Sequence, residues 1–371
     1  MSKLERLSGD SEVDRVPGDA ARGATPLDPP VPERLMLTMY REMQRIRLLD
    51  TRLIALQRQG RIGFYGACTG QEAVPVAAAL AARSTDWVFP ALRESPILLV
   101  RGFPLAVYVA QVFGTHLDVA RGRQMPSHMS GRHANVVSWS SVVGSQLPHA
   151  VGAAFAARRL GRDDVALAFM GEGATSTGDF HAAMNFAGVL TAPCVLICQN
   201  NQWAISTPAR RQTAAETFAA KAQAYGIPAD RVDGNDVLAV YRAVQRACEA
   251  ARAGKGPTFI ECLTYRMEAH STSDDPTRYR SEDEVRSWAE KDPILRLRQL
   301  LVDQHLLDDT VDAEMERQMH QEIAEALARA EQSGPPERDS LFRDVYAELP
   351  WHLREQWRSL ERLPPAENAG P

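Results

Sequence analysis

The chain has 371 residues, of which 44% are hydrophobic and 24% charged, a normal composition for a globular protein with a substantial core. Its net charge of −5 at pH 7 provides no positive field, so binding to nucleic acid is not expected. No stretch approaches the ~20 apolar residues of a membrane span, and the five cysteines lack the spacing of a zinc site or a disulfide framework. We therefore expect a cytoplasmic protein, bacterial by default, with no membrane partner.

The amino-terminal third is predicted to be an arm followed by helices. Residues 1–33 are rich in Gly, Pro, Asp and Ser without periodicity, which predicts a flexible arm. From Pro32 to Gln59 apolar residues recur at helical spacing and Gly60 follows, which predicts a long amphipathic helix. Further helices are predicted at 72–83, 96–115 and 143–160.

Four short apolar runs predict the strands of a core sheet, at 165–170, 194–199, 229–232 and 258–263. The first two runs have the length of strands buried on both faces, and one crossover helix fits between them, which predicts a parallel βαβ unit. Beyond Tyr279 the pattern becomes helical, with a charged helix near 309–332. The predicted class is α/β, a mainly parallel sheet with helices on both faces. We divide the chain into the arm at 1–33, an α/β domain at 34–280 and a helical carboxyl-terminal extension at 281–371.

A metal-diphosphate site is predicted where the first two strands end. The first apolar run is followed by Gly171-Glu172-Gly173-Ala174, and the second ends in Asn200-Asn201. Ligands bind at the carboxyl ends of parallel strands, and the two glycines allow the backbone to approach a phosphate closely. Glu172 would repel a diphosphate unless a hard cation lay between them, bound by carboxylate, amide or carbonyl oxygens.

Two other interpretations of this motif are an ordinary α/β turn followed by a polar loop, and a dinucleotide fingerprint. The fingerprint requires a third glycine at the position of Ser176 and an acidic residue after the second strand, where Gln199 and Asn200 lie. A nicotinamide enzyme is therefore not favoured.

The glycine-rich turn and the paired asparagines together resemble the signature of thiamine-diphosphate enzymes, with Glu172 where most members have Asp. From residue 35 to 362 the chain resembles alpha subunits of the two-chain 2-oxo acid dehydrogenase decarboxylating component. Runs similar to the branched-chain members lie at 122–126, 232–237, 270–276 and 342–346. The resemblance implies the thiamine-diphosphate-binding fold, with thiamine diphosphate and Mg²⁺ as cofactors.

The resemblance also implies roles for individual residues. The magnesium ligands would be Glu172, Asn201 and the backbone carbonyl of Trp203; the remaining cofactor contacts would come from Arg93, Gly173 and Ala174 at the diphosphate and from Ser141 and Val143 at the aminopyrimidine. Some members bind a structural potassium ion, and the matching residues here are Ser140, Val142, Ser145 and Gln146. Leu92 and Gln199 replace the family's usual tyrosine and frequent arginine, so two phosphate contacts are expected to be weaker or rebuilt.

His270 is the candidate for chemistry beyond cofactor binding. A histidine titrates near neutrality, can hydrogen-bond an anionic group and can move a proton. Its other interpretation is a polar residue in a surface loop, but the match of residues 270–275 favours catalysis and cofactor contact. Ser271, phosphorylated in mitochondrial relatives, is interpreted as a loop hydroxyl. His128 is either an active-site wall or a structural histidine.

The function that the resemblance implies is oxidative decarboxylation of a branched 2-oxo acid such as 3-methyl-2-oxobutanoate, followed by reductive acylation of a lipoyl group. Phe64 and Tyr65 are candidate walls of the substrate pocket. The implied assembly is an α2β2 heterotetramer, in which a beta subunit supplies the activating glutamate, docked onto a lipoyl-bearing acyltransferase core. Two alternatives remain open: the same chemistry on pyruvate or acetoin, and a non-catalytic scaffold subunit.

Overall fold

The computed structural model describes residues 30–343 and 345–363, and its centre is a sheet of five parallel strands. These strands are β1 (Trp87–Phe89), β2 (Ala166–Gly171), β3 (Cys194–Asn200), β6 (Ala229–Asp233) and β7 (Thr258–Leu263), in the spatial order β1-β2-β3-β7-β6. Two short strands, β4 (Trp203–Ala204) and β5 (Thr207–Pro208), form a separate antiparallel pair. The four predicted strands and the α/β class are confirmed.

The strands β2, β3 and β7 are buried on both faces of the sheet because their residues alternate between two hydrophobic cores, whereas the edge strand β6 is mostly exposed. In β2, Leu167 and Phe169 belong to one core, whereas Ala166, Ala168 and Met170 belong to the other. Strands buried on both faces consist of continuous apolar runs, whereas strands of a half-exposed sheet alternate between apolar and polar residues. The sequence therefore predicts β2 and β3 from their apolar runs.

Helices cover both faces of the sheet. They are α1 (Glu33–Arg58), α2 (Ala73–Ala81), α3 (Ile97–Val100), α4 (Leu105–Phe113), α5 (Gln146–Arg159), α6 (Gly178–Val189), α7 (Val237–Arg252), α8 (Glu282–Ala289), α9 (Pro293–Asp303), α10 (Asp309–Gln332) and α11 (Trp351–Glu361). The predicted crossover helix between β2 and β3 is α6. The single helix predicted at 96–115 is wrong, because the chain breaks between α3 and α4. Gly102 has φ of +81°, and Pro104 lacks the N–H that a continuous helix needs.

The helices that follow the sheet complete the core beneath α1. Met43, Ile46 and Leu53 of α1 share a hydrophobic cluster with Leu301 of α9 and Ile323 of α10. The boundary at 280/281 stays a prediction. The predicted arm lies outside the described residues apart from residues 30–33. Across the described ranges, no helix is both long and apolar enough to span a membrane.

Candidate functional site

The carboxyl ends of β2 and β3 lie side by side, with Gly171 opposite Gln199. This register brings the Glu172 turn beside the paired asparagines, as the sequence predicts. The backbone N–H of Asn201 donates to Glu172 Oε2 at 3.3 Å, and residues Glu172–Ser176 form a short 3-10 helix before α6. A carboxylate and an amide from two strands therefore meet at one edge of the sheet.

Glu172 is a buried carboxylate whose hydrogen-bonding capacity is largely unused. Its side chain is 1% exposed, and Oε1 has no hydrogen-bond partner among the described residues. Burial raises the pKa of Glu172 to about 7, although Arg266 and Arg93 lower it. In the described part of the chain no cluster of three or more His, Cys, Asp or Glu side chains could hold a metal ion. A cation here would therefore depend on Glu172 with amide and carbonyl oxygens.

The two other predicted metal ligands follow β3 directly. Asn201 Oδ1 accepts from the Trp203 N–H at 3.2 Å, and Asn201 Nδ2 donates to Gln71 Oε1 at 2.9 Å. These two bonds fix the orientation of the Asn201 amide. The Trp203 carbonyl accepts from Arg266 Nη1 at 2.9 Å. Arg266 thus shares the carbonyl that the resemblance assigns to the metal.

Arg93 and His270 are in contact, although 177 residues separate them. Arg93 is buried and donates to the carbonyl of Ala67 and, at 2.8 Å, to that of His270; its Nη2 also lies 3.4 Å from His270 Nδ1. Burial lowers the pKa of Arg93 to about 10, so the guanidinium stays charged at neutral pH. Burial and the positive charges of Arg93 and Arg266 lower the pKa of His270 to about 4. His270 is therefore neutral at pH 7.

Arg266 is a site residue that sequence reasoning missed. It lies three residues after β7, is 1% exposed, and donates to the carbonyl of Ile205 at 2.7 Å and to the hydroxyl of Tyr279 at 2.8 Å. Its Nε has no partner within the described ranges. The signal available in the sequence was an arginine three residues after the predicted strand at 258–263, near the carboxyl end of a parallel strand where ligands bind.

Asp50 was also missed, and it holds the loop beneath the site. This fully buried carboxylate accepts from the Tyr65 hydroxyl at 2.6 Å, the Cys68 N–H at 2.7 Å and the Thr69 hydroxyl at 3.0 Å. The same loop supplies the Ala67 carbonyl to Arg93. Asp50 thus connects α1 to the cluster around Arg93.

The two candidate substrate-pocket residues lie on this loop. Tyr65 is buried, and its backbone forms two hydrogen bonds with Thr272. The Tyr65 N–H donates to the Thr272 hydroxyl at 3.1 Å, and the Tyr65 carbonyl accepts from the Thr272 N–H at 3.0 Å. It borders a cavity of about 100 Å³ that Ala67 and Ser271 also line. Phe64 is half-buried on the same loop. Their role as pocket walls stays a prediction.

The predicted aminopyrimidine contacts lie on an exposed turn before α5. Val143 is 60% exposed, and Ser141 is exposed with its hydroxyl 2.5 Å from His128 Nε2. Three of the four predicted potassium ligands occupy the same turn, and the fourth, Gln146, is the first residue of α5. Ser140 Oγ accepts from the Val142 N–H at 3.2 Å, Ser145 donates to the Val142 carbonyl at 2.8 Å, and Gln146 donates to the Phe169 carbonyl at 2.7 Å.

The predicted diphosphate contacts at Gly173 and Ala174 lie in the Glu172 turn. A β-carbon at Gly173 would lie 2.6 Å from that of Ala204, so only glycine fits there. The two departures from the family pattern have defined partners. Leu92 packs beside Gly66, where an added β-carbon would lie 3.0 Å from Leu92 Cδ1, and Gln199 donates to the buried Glu94.

Four buried polar atoms at this edge of the sheet have no hydrogen-bond partner within the described residues: Glu172 Oε1, Gln71 Nε2, Gln199 Oε1 and Arg266 Nε. Unsatisfied buried polar atoms are rare in native proteins because each costs roughly 1–3 kcal/mol. Donors and acceptors together fit a ligand that carries both anionic oxygens and a cation, so the donor set is compatible with magnesium and a diphosphate.

Comparisons with known proteins agree with this chemistry. The family model of the dehydrogenase E1 component matches residues 40–339. The human mitochondrial 2-oxoisovalerate dehydrogenase subunit alpha is 43% identical over 336 residues, which cover 90% of this chain and 76% of the human one. The 3-methyl-2-oxobutanoate dehydrogenase subunit alpha of Mycobacterium tuberculosis is 46% identical over 334 residues, covering 89% and 88% of the two chains. The chain therefore belongs to the dehydrogenase E1 component family, which confirms the resemblance found in its sequence.

Proposed function

We propose that this chain is the alpha subunit of a thiamine-diphosphate-dependent dehydrogenase for branched-chain 2-oxo acids. The human and Mycobacterium tuberculosis relatives, 43% and 46% identical, are named for 2-oxoisovalerate and 3-methyl-2-oxobutanoate. Pyruvate or acetoin as the substrate is not favoured by these names. A non-catalytic scaffold is not favoured either, because Glu172, Asn201 and His270 are retained.

The observation that carries the proposal is the buried Glu172 carboxylate with its unpartnered Oε1 beside Asn201. Burial disfavours the charged form of this carboxylate, and a bound cation would offset that cost. Glu172, Asn201 and the Trp203 carbonyl would hold magnesium, and Gly173, Ala174 and Arg93 would contact the diphosphate. We also propose a potassium site at Ser140, Val142, Ser145 and Gln146, because these residues match the potassium ligands of some family members.

The cofactor, when bound, would supply the electron sink for decarboxylation of the 2-oxo acid. The residues of this chain would bind and orient it. The planar guanidinium of Arg93 suits bidentate contact with phosphate, and its bond to the His270 carbonyl holds the 270–274 loop beside it. His270, neutral at pH 7, can accept a proton or a hydrogen bond beside Arg93, and we propose it as the residue that serves lipoyl acylation.

A beta subunit is proposed to complete the site. Val142 and Val143, next to the proposed aminopyrimidine contact at Ser141, are 65% and 60% exposed. We propose that the beta subunit covers these two exposed apolar side chains. We propose an α2β2 heterotetramer that docks onto a lipoyl-bearing acyltransferase, in the bacterial cytoplasm.

The test is to co-express the chain with a beta-type subunit and to measure two quantities. The first is the affinity for thiamine diphosphate with and without Mg²⁺, by calorimetry. The second is decarboxylation of 3-methyl-2-oxobutanoate and pyruvate with an artificial electron acceptor. We expect magnesium-dependent binding and a graded preference for the branched acid, because each methylene contributes only ~1–3 kcal/mol to discrimination. Tight binding by the isolated chain without magnesium would refute the proposal.

A further inference from the structure

Asn200, the first of the paired asparagines, has no role in the proposed function, which assigns only Asn201 to the metal. Its side chain lies at the end of β3 and is 4% exposed. The side-chain oxygen accepts from the Gln202 N–H at 3.3 Å and from Gln202 Nε2 at 2.9 Å, while the side-chain nitrogen donates to Glu261 Oε1 at 2.8 Å. Both ends of the amide therefore have a partner.

The bonds to Gln202 shape the turn that carries the proposed metal ligands. Gln202 has φ of +73°, in the left-handed region that non-glycine residues rarely adopt. An asparagine side chain that accepts from the backbone two residues further on closes a tight turn, and Asn200 does so here. Asn201 and the Trp203 carbonyl belong to this turn. Its geometry therefore depends on which end of the Asn200 amide faces Gln202.

Glu261 determines that orientation. It lies within β7, opposite Cys198 of β3, and is fully buried. A carboxylate only accepts hydrogen bonds, so the nitrogen of the Asn200 amide must face Glu261 and its oxygen must face Gln202. Arg231 of the neighbouring strand β6 lies 3.6 Å from the same Glu261 oxygen and complements its charge.

The second oxygen of Glu261 leads to the other metal-binding segment. Oε2 accepts from the N–H of Ala219, the first residue of a short 3-10 helix, at 2.9 Å. Lys221 of this helix donates to the hydroxyl of the buried Thr175 at 2.8 Å, and that hydroxyl donates to the Glu172 carbonyl at 2.7 Å. A series of contacts therefore connects Glu261 with the turn that carries the Glu172 carboxylate.

We propose that Glu261 is a positioning residue that aligns the two segments offering the proposed magnesium ligands, the Glu172 turn and the turn after β3. The inference rests on the proposed function, in which those segments hold magnesium. Both oxygens of Glu261 already accept from N–H donors, so it acts through its neighbours and is not itself a ligand. Groups that orient metal ligands in this way commonly change metal affinity by 10-fold or more when they are replaced, an order-of-magnitude expectation of about 10–100-fold.

Glu261→Gln tests the orientation because it changes hydrogen-bonding polarity at nearly constant size. The Ala219 N–H belongs to the backbone and cannot turn, so the oxygen of the introduced glutamine stays with it and the amino group faces Asn200. The Asn200 amide must then flip, which directs its nitrogen at the Gln202 N–H and removes the bond that shapes the turn. We expect magnesium binding to weaken about tenfold.

Exchanging the two groups should restore the site. In the double variant Asn200→Asp with Glu261→Gln, the introduced glutamine donates to the introduced aspartate, whose other oxygen still accepts from the Gln202 N–H. The double variant should recover most of the tenfold loss. Asn200→Asp alone places two carboxylates against each other and should bind magnesium more weakly than the double variant. Glu249→Gln, the same chemical change at an exposed position of α7, is the control and should leave magnesium affinity unchanged.

Two quantities are measured on the chain assembled with its beta subunit. The first is the dissociation constant of Mg²⁺ at a fixed excess of thiamine diphosphate, by calorimetry, after subtraction of magnesium binding to the free cofactor. The second is the urea concentration at which the ligand-free protein unfolds. A residue with only a structural role changes the second quantity and leaves the first as it is in the wild type.

Unchanged magnesium affinity in Glu261→Gln, or a double variant that binds no more tightly than Glu261→Gln, overturns the inference. Should Glu261→Gln fail to assemble, Lys221→Met decides, because the lysine side chain is only half-buried. Loss of its bond to Thr175 should weaken magnesium binding about threefold, and unchanged affinity overturns the inference. A wild-type complex that binds thiamine diphosphate without magnesium would instead remove the proposed function, and with it this inference.

Discussion

Asp50 provides a test of how a buried carboxylate supports the site. Burial raises the pKa of Asp50 to about 7 from its ordinary value of 3.8, despite three hydrogen bonds that lower it. The folded protein therefore retains a proton that the unfolded chain releases. Stability from this group is fully present below pH 3.8 and is lost as the pH rises toward 7.

The size of the effect follows from the shift. A difference of about three pKa units corresponds to about 4 kcal/mol, of which about 2.5 kcal/mol is lost between pH 5 and pH 8. Asp50→Asn cannot ionise, and its amide can still accept from two of the three donors. We therefore expect the free energy of unfolding of Asp50→Asn, minus that of wild type, to increase by about 2.5 kcal/mol from pH 5 to pH 8.

Urea denaturation of the ligand-free protein, followed by tryptophan fluorescence at several pH values, measures this difference. Taking the variant relative to wild type cancels the titration of the other buried acids. Asp50→Ala is the companion variant, and it should be less stable at every pH because the Tyr65 hydroxyl, the Cys68 N–H and the Thr69 hydroxyl lose their acceptor. Parallel stability curves for wild type and Asp50→Asn would refute the reasoning.

Three further predictions concern the site itself. Glu172→Ala should abolish magnesium-dependent binding of thiamine diphosphate in calorimetry, while Glu172→Asp retains it; an Ala variant that saturates at wild-type magnesium concentrations contradicts the metal assignment. Arg93→Lys should weaken cofactor binding about tenfold, because lysine lacks the planar fork with which a guanidinium can bind phosphate in a bidentate manner while it donates to the Ala67 and His270 carbonyls; unchanged affinity argues against a diphosphate contact. His270→Ala should impair acylation of a lipoyl domain more than decarboxylation with an artificial acceptor at saturating cofactor, and an equal loss in both assays excludes a specific role in acylation.

The sequence predicted those parts of the structure that depend on local patterns. Long apolar runs revealed β2 and β3, and the rule for parallel sheets brought Glu172 beside Asn201. In contrast, β1 has only three residues, Trp87–Phe89, which is too short a run to show periodicity. The break between α3 and α4 was missed although Gly102 and Pro104 mark it, because the apolar pattern continues across them.

Contacts between distant segments could not be predicted from spacing. The resemblance supplied Arg93 and His270 separately, but their contact arises from the loop after β7 folding back over the residues before α3. Asp50, Gln71 and Arg266 act through hydrogen bonds to loops that no local pattern connects with them. Their roles become visible only when the tertiary structure shows which buried polar atoms have partners.

The packing of α1 under α9 and α10 has a consequence for biosynthesis. Tyr40 of α1 donates to Asp312 of α10 at 2.9 Å, across 272 residues of chain. At 5–20 residues per second, a ribosome needs roughly 15–55 s to synthesise that interval. During this time the apolar face of α1 has emerged but lacks the helices that cover it. The nascent chain therefore exposes the apolar face of a long amphipathic helix to chaperones until its last third has been translated.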